Sequence, residues 1–254
     1  MKNTYKFLAL IPARYASTRF PGKPLAILDG KSIIQRVYER VQTVCEDVYV
    51  ATDDERIANE VKRFGGKFVM TGSHHQSGTD RCYEALCKLG EENFDIVINV
   101  QGDEPFIAPS QLSTIKDCFD DDRTKIATLV KPFSKGCDIK DVENPNSPKV
   151  VVSDDNFAMY FSRSIIPYLR GVEVDKWTST QNYFKHIGIY AYRSNVLKEI
   201  TSLPQSSLEK AESLEQLRWL QAGYSIKVGV TDIETIGIDT PEDLKKAEDF
   251  LNNK

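Results

Sequence analysis

The stretch Ile11-Pro12-Ala13-Arg14-Tyr15-Ala16-Ser17-Thr18-Arg19-Phe20-Pro21-Gly22-Lys23-Pro24-Leu25 decides how the chain is read. It continues Tyr5-Lys6-Phe7-Leu8-Ala9-Leu10-Ile11, which has the length and apolar character of a buried strand, and Pro12 and Pro21-Gly22 keep a helix from following. A rigid loop therefore leaves a strand end. Arg14, Arg19 and Lys23 in that loop are donors suited to phosphate oxygens. Small residues at Ala13, Ala16, Ser17 and Gly22 let backbone N–H groups approach an anion closely. The pattern points to a triphosphate held over the strand end, with a solvated basic loop as the competing local reading. Neither G-x-x-x-x-G-K-[ST] nor G-x-G-x-x-G follows the strand, so P-loop hydrolysis and dinucleotide binding lose their main support.

A chain of 254 residues is long enough for one large α/β domain, or for a core with a small appended lobe, and no linker divides it. Lys and Arg number 33 against 37 Asp and Glu, a formal charge of -4, so there is no bulk attraction to nucleic acid or to an anionic membrane. Any phosphate chemistry must be local. The five cysteines, Cys45, Cys82, Cys87, Cys118 and Cys137, are odd in number and lack C-x-x-C spacing, which suits reduced thiols in a cytoplasmic protein. Lys2 and Lys6 precede an apolar run too short for a secretory signal, and Arg14 interrupts its cleavage region. Nothing approaches the roughly 20 apolar residues of a membrane span, so stable membrane insertion is not expected.

Ser32 with Gln35 offers a capping box for a helix that carries Ile33, Ile34, Val37, Tyr38 and Val41 on one face and runs to about Val44. Val48–Ala51 reads as a second strand, and Thr52 with Glu55 as another capping box before Ile57, Val61 and Phe64. Gly65-Gly66 ends that helix. Phe68–Met70, a helix near Thr79 to Lys88 and the strand Ile96–Val100 continue the alternation, which indicates a parallel sheet with helices on both faces. After Pro109 the pattern turns more antiparallel, with irregular stretches at 137–148 and 171–180 suited to a flap or a dimer contact. Ser206 with Glu209 caps a helix carrying Leu208, Ala211, Leu214 and Leu217, and Thr240-Pro241 starts a terminal one.

Val100-Gln101-Gly102-Asp103-Glu104-Pro105 places Asp103 at a strand C-terminus, where open α/β sheets bind ligands. A carboxylate there suits Mg²⁺, which takes one or two carboxylates plus substrate phosphates, and Asp239 at the Gly237-Ile238 junction is its candidate partner. Turn formation or helix capping is the plainer reading of each. In His74-His75-Gln76-Ser77-Gly78-Thr79-Asp80-Arg81, neighbouring histidines are expected to point apart. Gly78 permits a tight turn, Thr79 can cap a helix and Arg81 can reach an anion or base edge, so the segment reads as a nucleotide-binding turn. Arg163, His186 and Tyr190 together suit a carboxylated polyhydroxy substrate, and Glu215 and Gln216 can take sugar hydroxyls. Core strands and a solvated helix face are the alternatives.

These segments, in order IPARYASTRFPGKPL, ATD, HHQSGTDR, NVQGDEP, NPNSPKVV, YFSR, HIGIYAYR, LEKAESLEQLR and GIDTPEDL, resemble the 3-deoxy-manno-octulosonate (Kdo) cytidylyltransferases, a branch of the sugar-nucleotide pyrophosphorylase families. Two positions depart from the pattern: Asp80 stands where Glu is expected, and Ser147-Pro148 where small or β-branched apolar residues are expected. The resemblance implies a nucleotide-diphospho-sugar transferase-like, Rossmann-type α/β/α sandwich with a mixed, mainly parallel sheet and a smaller antiparallel lobe. It implies a single domain whose residues 1–110 mainly bind nucleotide and whose residues 111–254 mainly bind sugar and dimerise. The implied reaction joins CTP and Kdo into CMP-Kdo and pyrophosphate for lipopolysaccharide biosynthesis, in a cytoplasmic homodimer. By the same resemblance Arg14, Arg19 and Lys23 contact the triphosphate, Gly78 and Arg81 the nucleotide, and Asp103 with Asp239 holds Mg²⁺. Arg14, Lys23, Asp103 and Asp239 are the catalytic set, and Gln101, Arg163, His186, Tyr190, Glu215 and Gln216 the sugar set. A cytidylyltransferase for another acidic sugar, such as an amino-substituted octulosonate, and a non-catalytic nucleotide sensor are the alternatives.

Overall fold

The computed structural model describes residues 5–16, 19–234 and 237–252; Ser17, invoked above for anion approach, lies outside them. In chain order, β1 (Phe7–Ala13) leads through a 3-10 turn at Lys23–Leu25 and the hairpin β2 (Ile27–Leu28) and β3 (Lys31–Ser32) into α1 (Ile33–Gln42). Then come β4 (Asp47–Thr52), α2 (Glu55–Arg63), β5 (Phe68–Met70), α3 (Gly78–Leu89), β6 (Ile96–Asn99) and α4 (Pro109–Asp117). The next elements are β7 (Ile126–Pro132), α5 (Ile139–Glu143), β8 (Lys149–Val152), β9 (Ala158–Ser162), α6 (Trp177–Thr180), β10 (Phe184–Arg193) and α7 (Ser194–Thr201). The described chain ends with α8 (Ser207–Glu212), α9 (Gln216–Gln221), β11 (Ile226–Val230) and α10 (Pro241–Asn252).

The chain forms two units, one of Met1–Ser113, Ala191–Thr201 and Thr235–Lys254, the other of Thr114–Tyr190 and Ser202–Glu234. In the first, the strand order is β6-β1-β4-β5 with parallel pairing throughout, from Leu10 opposite Asn99 to Thr52 opposite Met70. Parallel neighbours need crossovers, and α1, α2 and α3 supply them. Each crossover helix buries one stripe: Ile33, Ile34, Val37, Tyr38 and Val41 in α1, and Ile57, Ala58 and Val61 in α2. Leu8 to Ile11 in β1 and Ile96 to Ile98 in β6 are fully buried, which explains their continuous apolar runs. The loops that leave β1 and β6 therefore emerge on one edge of a packed sheet.

In the second unit β7 and β11 pair in parallel, while β8 is antiparallel to both β9 and β10. A small core of Val142, Trp177 and Tyr183 packs with Phe133, Cys137, Ile139, Ile165, Leu169 and Val172. It gives structure to both stretches read above as irregular: α5 lies in the first, and α6 with the buried Trp177 in the second.

Several helix ends differ from their sequence reading. Thr52 is still in β4, and the N-cap of α2 is Asp54, whose carboxylate accepts from Arg56 N at 2.9 Å. Ser77, not Thr79, caps α3 by accepting from Asp80 N at 3.1 Å, and Thr79 is buried in the first turn. The 208–217 helix is two helices, α8 and α9, because Ser213 takes the left-handed conformation at φ 51°. The Ser206–Glu209 capping box is complete, and Gly65 at φ 76° ends α2 as read.

Candidate active site

The loop after β1 folds back through Gly22, whose φ of 71° is the left-handed region that an L side chain resists. Its N–H donates to Tyr15 O at 2.9 Å, and a Cβ on Gly22 would come within 3.0 Å of the Tyr15 ring. The Arg56 guanidinium carbon lies over the Tyr15 ring, 3.3 Å from its centre, so the turn is fastened by an aromatic and a cation. Lys23 opens the 3-10 turn that follows and is aimed by it.

Asp103 reaches the same place from β6. Val100 N donates to Leu10 O at 2.9 Å, and Gly102 lets the chain pass against β1, since a Cβ there would sit 2.9 Å from the Pro12 carbonyl oxygen. Asp103 O then accepts from Ile238 N at 2.9 Å, and Ile238 is fully buried, which brings Asp239 alongside. The capping of α10 belongs to its neighbours: Thr240 N and Oγ1 donate to Asp243 Oδ2 at 3.1 and 3.0 Å, and Asp243 N donates back to Thr240 Oγ1 at 3.2 Å. Asp239's carboxylate is thus left to face the loop.

There Lys23 Nζ donates to Asp103 Oδ2 at 2.6 Å and to Asp239 Oδ1 at 3.1 Å, and Arg19 Nη2 lies 3.3 Å from Asp239 Oδ2. Three segments far apart in sequence share one ammonium. Lys23 is the least exposed of the three, with its side chain 14% exposed, against 30% for Asp103 and 49% for Asp239. Two carboxylate oxygens that can both touch one cation form an all-oxygen donor set.

Arg14, Arg19, Lys23, Gly78, Arg81, Gln101, Asp103 and Asp239 all line one cavity of about 290 Å³. The start of α3 forms part of its wall, and a Cβ on Gly78 would come within 3.2 Å of Pro12 Cγ. Unsatisfied N–H groups at a helix start favour anions. Arg81 is 3% exposed and its guanidinium is spent on structure as well as lining: it donates to Thr71 Oγ1 at 2.6 Å, Gly72 O at 3.3 Å and Asp53 Oδ2 at 3.3 Å. Gln101 Nε2 donates to Asn99 Oδ1 at 3.3 Å. Ser77 and His75 line the cavity too and were not singled out from sequence, although the HHQSGTDR segment that holds them was.

The two histidines do not diverge: their ring centres are 4.4 Å apart, and His74, His75 and Glu84 place donor atoms within 4.8 Å of one another. Glu84 is already engaged by His75, by Gly72 N at 2.9 Å and by Lys88 Nζ at 2.7 Å. Burial opposes its charge, yet the Lys88 ammonium, the Gly72 N–H and His75 together hold its carboxyl down at about 2.

The second unit carries the remaining residues singled out from sequence. Arg163 follows β9, and its guanidinium donates to three backbone carbonyls: Glu212 O at 2.6 Å, Pro145 O at 2.7 Å and Ser213 O at 3.3 Å. Of a guanidinium's five N–H groups that leaves two. Lys149, fully buried, ties the same region by donating to Arg163 O at 2.6 Å and Asn144 O at 3.0 Å, and burial lowers its pKa. His186 on β10 packs edge-on to Phe161, with ring centres 5.2 Å apart, and 5.4 Å from the ring of Tyr190, which itself meets Trp219 edge-on. Burial pushes the His186 imidazole down to about 4, and raises the Tyr190 phenol well above 10, with the Glu215 charge adding to the rise. Glu215 and Gln216 open α9; Gln216 is buried, and its Nε2 has no hydrogen-bond partner among the described residues.

Residues 8–233 match the family model described as cytidylyltransferase. The 3-deoxy-manno-octulosonate cytidylyltransferase of Bacteroides thetaiotaomicron is 65% identical over 249 residues, covering 98% of this chain and 99% of that protein. Its counterpart in Phocaeicola vulgatus is 64% identical, covering 98% of each. A solved CMP:2-keto-3-deoxy-manno-octonic acid synthetase, complexed with CTP, matches with a TM-score of 0.88 at 44% identity over 98% of this chain and 99% of that one. Likeness at this identity over nearly the whole of both chains means that the chain belongs to the cytidylyltransferase family, in its 3-deoxy-manno-octulosonate branch.

Proposed function

We infer that the chain transfers the cytidylyl group of CTP to Kdo, giving CMP-Kdo and pyrophosphate. The observation that carries the chemistry is the meeting of Lys23 with Asp103 and Asp239 in the wall of a cavity that Arg14 and Arg19 also line. The anomeric oxygen of the sugar attacks the α-phosphorus, a new P–O bond forms, and the bond to the pyrophosphate oxygen breaks. No covalent bond to the protein is needed. Catalysis then rests on alignment and on neutralising charge that builds on the departing phosphates. Arg14, Arg19 and Lys23 hold the triphosphate, and the start of α3 at Gly78 receives the nucleotide in the turn that Arg81 fixes.

Asp103 and Asp239 are our candidates for holding Mg²⁺. Both reach a common cation, Lys23 Nζ, and two carboxylates that leave further positions to water and phosphate oxygens suit this ion. When bound, Mg²⁺ supplies Lewis-acid neutralisation of the triphosphate. For the sugar we propose Gln101, Arg163, His186, Tyr190, Glu215 and Gln216, with the two uncommitted N–H groups of Arg163 directed to the carboxylate. The buried, unpartnered Nε2 of Gln216 supports a ligand role for that side chain.

We further propose a homodimer, in which exposed Met159, Tyr168 and Val174 of the second unit offer apolar surface to another copy. Five cysteines, none of them in a disulfide among the described residues, support the cytoplasm as its compartment. No helix among the described residues is long and apolar enough to cross a membrane.

A pyrophosphate-release assay with each nucleoside triphosphate against Kdo, an amino-substituted octulosonate and sialate tests the assignment. Release with CTP and Kdo above every other pair is expected. Higher kcat/KM with the amino-substituted sugar would move the chain to a sister activity, and no release with any pair would leave a nucleotide sensor.

A further inference from the structure

The hydroxyl of Thr128, on β7, lies among three groups of β10. Its Oγ1 is 2.8 Å from Ile189 O, 3.3 Å from Ile187 O and 3.0 Å from His186 Nε2. We infer that Thr128 fixes His186 in the neutral tautomer with its proton on Nε2, so that Nδ1 meets the sugar as a hydrogen-bond acceptor.

A hydroxyl has one proton to give and two lone pairs to receive with. A carbonyl oxygen can only accept, and two oxygens at 2.8 Å need a proton between them, so the Thr128 proton goes to Ile189 O, with Ile187 O as the weaker second acceptor. Nothing is left to donate to His186. The 3.0 Å contact is a hydrogen bond only if Nε2 carries the proton and Thr128 Oγ1 accepts it. The imidazole is held neutral by its burial among Phe161, Tyr190 and Thr128. A neutral ring protonated on Nε2 has a bare lone pair on Nδ1, and Nδ1 has no hydrogen-bond partner among the described residues.

The inference rests on the proposal that His186 belongs to the sugar side, and it sharpens that proposal. An acceptor nitrogen takes a hydroxyl proton and repels a carboxylate. His186 therefore reads a sugar hydroxyl, and the carboxylate falls to Arg163. Thr128 touches neither, and is a positioning residue: it selects which ring nitrogen stays bare.

Only three histidines are present, so the full chain labelled with ¹⁵N-histidine gives a readable long-range ¹H–¹⁵N spectrum, and His186→Gln identifies the His186 signals by their loss. The expected wild-type pattern has protonated Nε2 and bare Nδ1. Thr128→Val, which keeps the shape and loses the acceptor, should give a tautomer mixture and raise KM for Kdo by roughly tenfold with KM for CTP unchanged. Thr128→Ser should restore both. A proton on Nδ1 in the wild-type spectrum overturns the inference whatever the kinetics. An unchanged KM for Kdo in His186→Gln, beside the expected spectrum, removes instead the sugar-side reading on which the use of Nδ1 depends.

Discussion

Asp103 and Asp239 face each other across a lysine, and each keeps a plain structural duty elsewhere: the Asp103 carbonyl tethers Ile238, and the backbone of Asp239 donates to Asp243. Replacing either by Asn removes charge with little change in volume. Asp103→Asn and Asp239→Asn should each lose most turnover, roughly a hundredfold or more, while circular dichroism and melting stay near wild type. Turnover like wild type at saturating Mg²⁺ in either variant would strip that residue of its metal role. The ammonium of Lys23 occupies the point that both carboxylates can reach, so it competes with any other cation for them. Lys23→Met should therefore bind Mn²⁺ several-fold more tightly than wild type without nucleotide, read from the paramagnetic resonance of free Mn²⁺, yet bind CTP more weakly. Two unchanged affinities would make Lys23 a surface ion pair. His186 gives a pH test. Its pKa falls from 6.5 in a solvated chain to about 4 in the fold, so the unfolded chain takes up the proton first as pH drops. The stabilisation is complete above 6.5 and is lost as pH falls toward about 4. Glu84 and Asp243, held below 4.5 and 3.8 by their partners, add their own loss only at lower pH. Between about pH 7 and about pH 5, denaturant melts should show about 1–2 kcal/mol lost in wild type and less in His186→Gln.

At the level of elements, the site depends on two places where backbone meets β1. A Cβ at Gly102 would stand 2.9 Å from the Pro12 carbonyl, which is rigid strand backbone, whereas one at Gly78 would meet the side-chain atom Pro12 Cγ at 3.2 Å, a tight contact relieved by a shift of a few tenths of an ångström. Gly102→Ala should shift the turn that aims Asp103, costing about 1–3 kcal/mol and most of the activity, and Gly78→Ala should cost less of both. Equal effects in paired melts and assays would separate Asp103 placement from this close approach. Helices whose signals are local could be read from sequence: Ser206 with Glu209 caps α8, and Gly65 stops α2, because each interaction spans a few residues. The misread ends have a common cause in neighbours the local pattern does not reveal. Thr52 was unavailable as a cap because β4 holds it, paired with Ala13 of β1. The break at Ser213 is sustained by Arg163 Nη2 on its carbonyl and by Leu214 N on Glu209 O, and the first of these partners lies 50 residues away.

For the whole molecule, the parallel part of the sheet was legible because strands buried on both faces read as unbroken apolar runs between amphipathic helices, as Leu8–Ile11 and α1 do. The site was legible in its loops and less so in its pairings. Asp103 and Asp239 were joined on the chemistry that Mg²⁺ requires, while the Lys23 ammonium between them follows from bonds spanning 80 and 216 positions, which periodicity cannot encode. Arg163 shows the reverse case: its charge suggested a ligand, and the fold adds three backbone carbonyls that sequence gave no sign of. The first unit is also discontinuous, since 235–254 rejoin 1–113 only after the second unit has intervened. This sets an order of events on the ribosome. A nascent chain can display Arg14, Arg19 and Lys23 long before Asp239 is translated, so stalled or prematurely terminated products that stop short of it carry the basic loop without its second carboxylate.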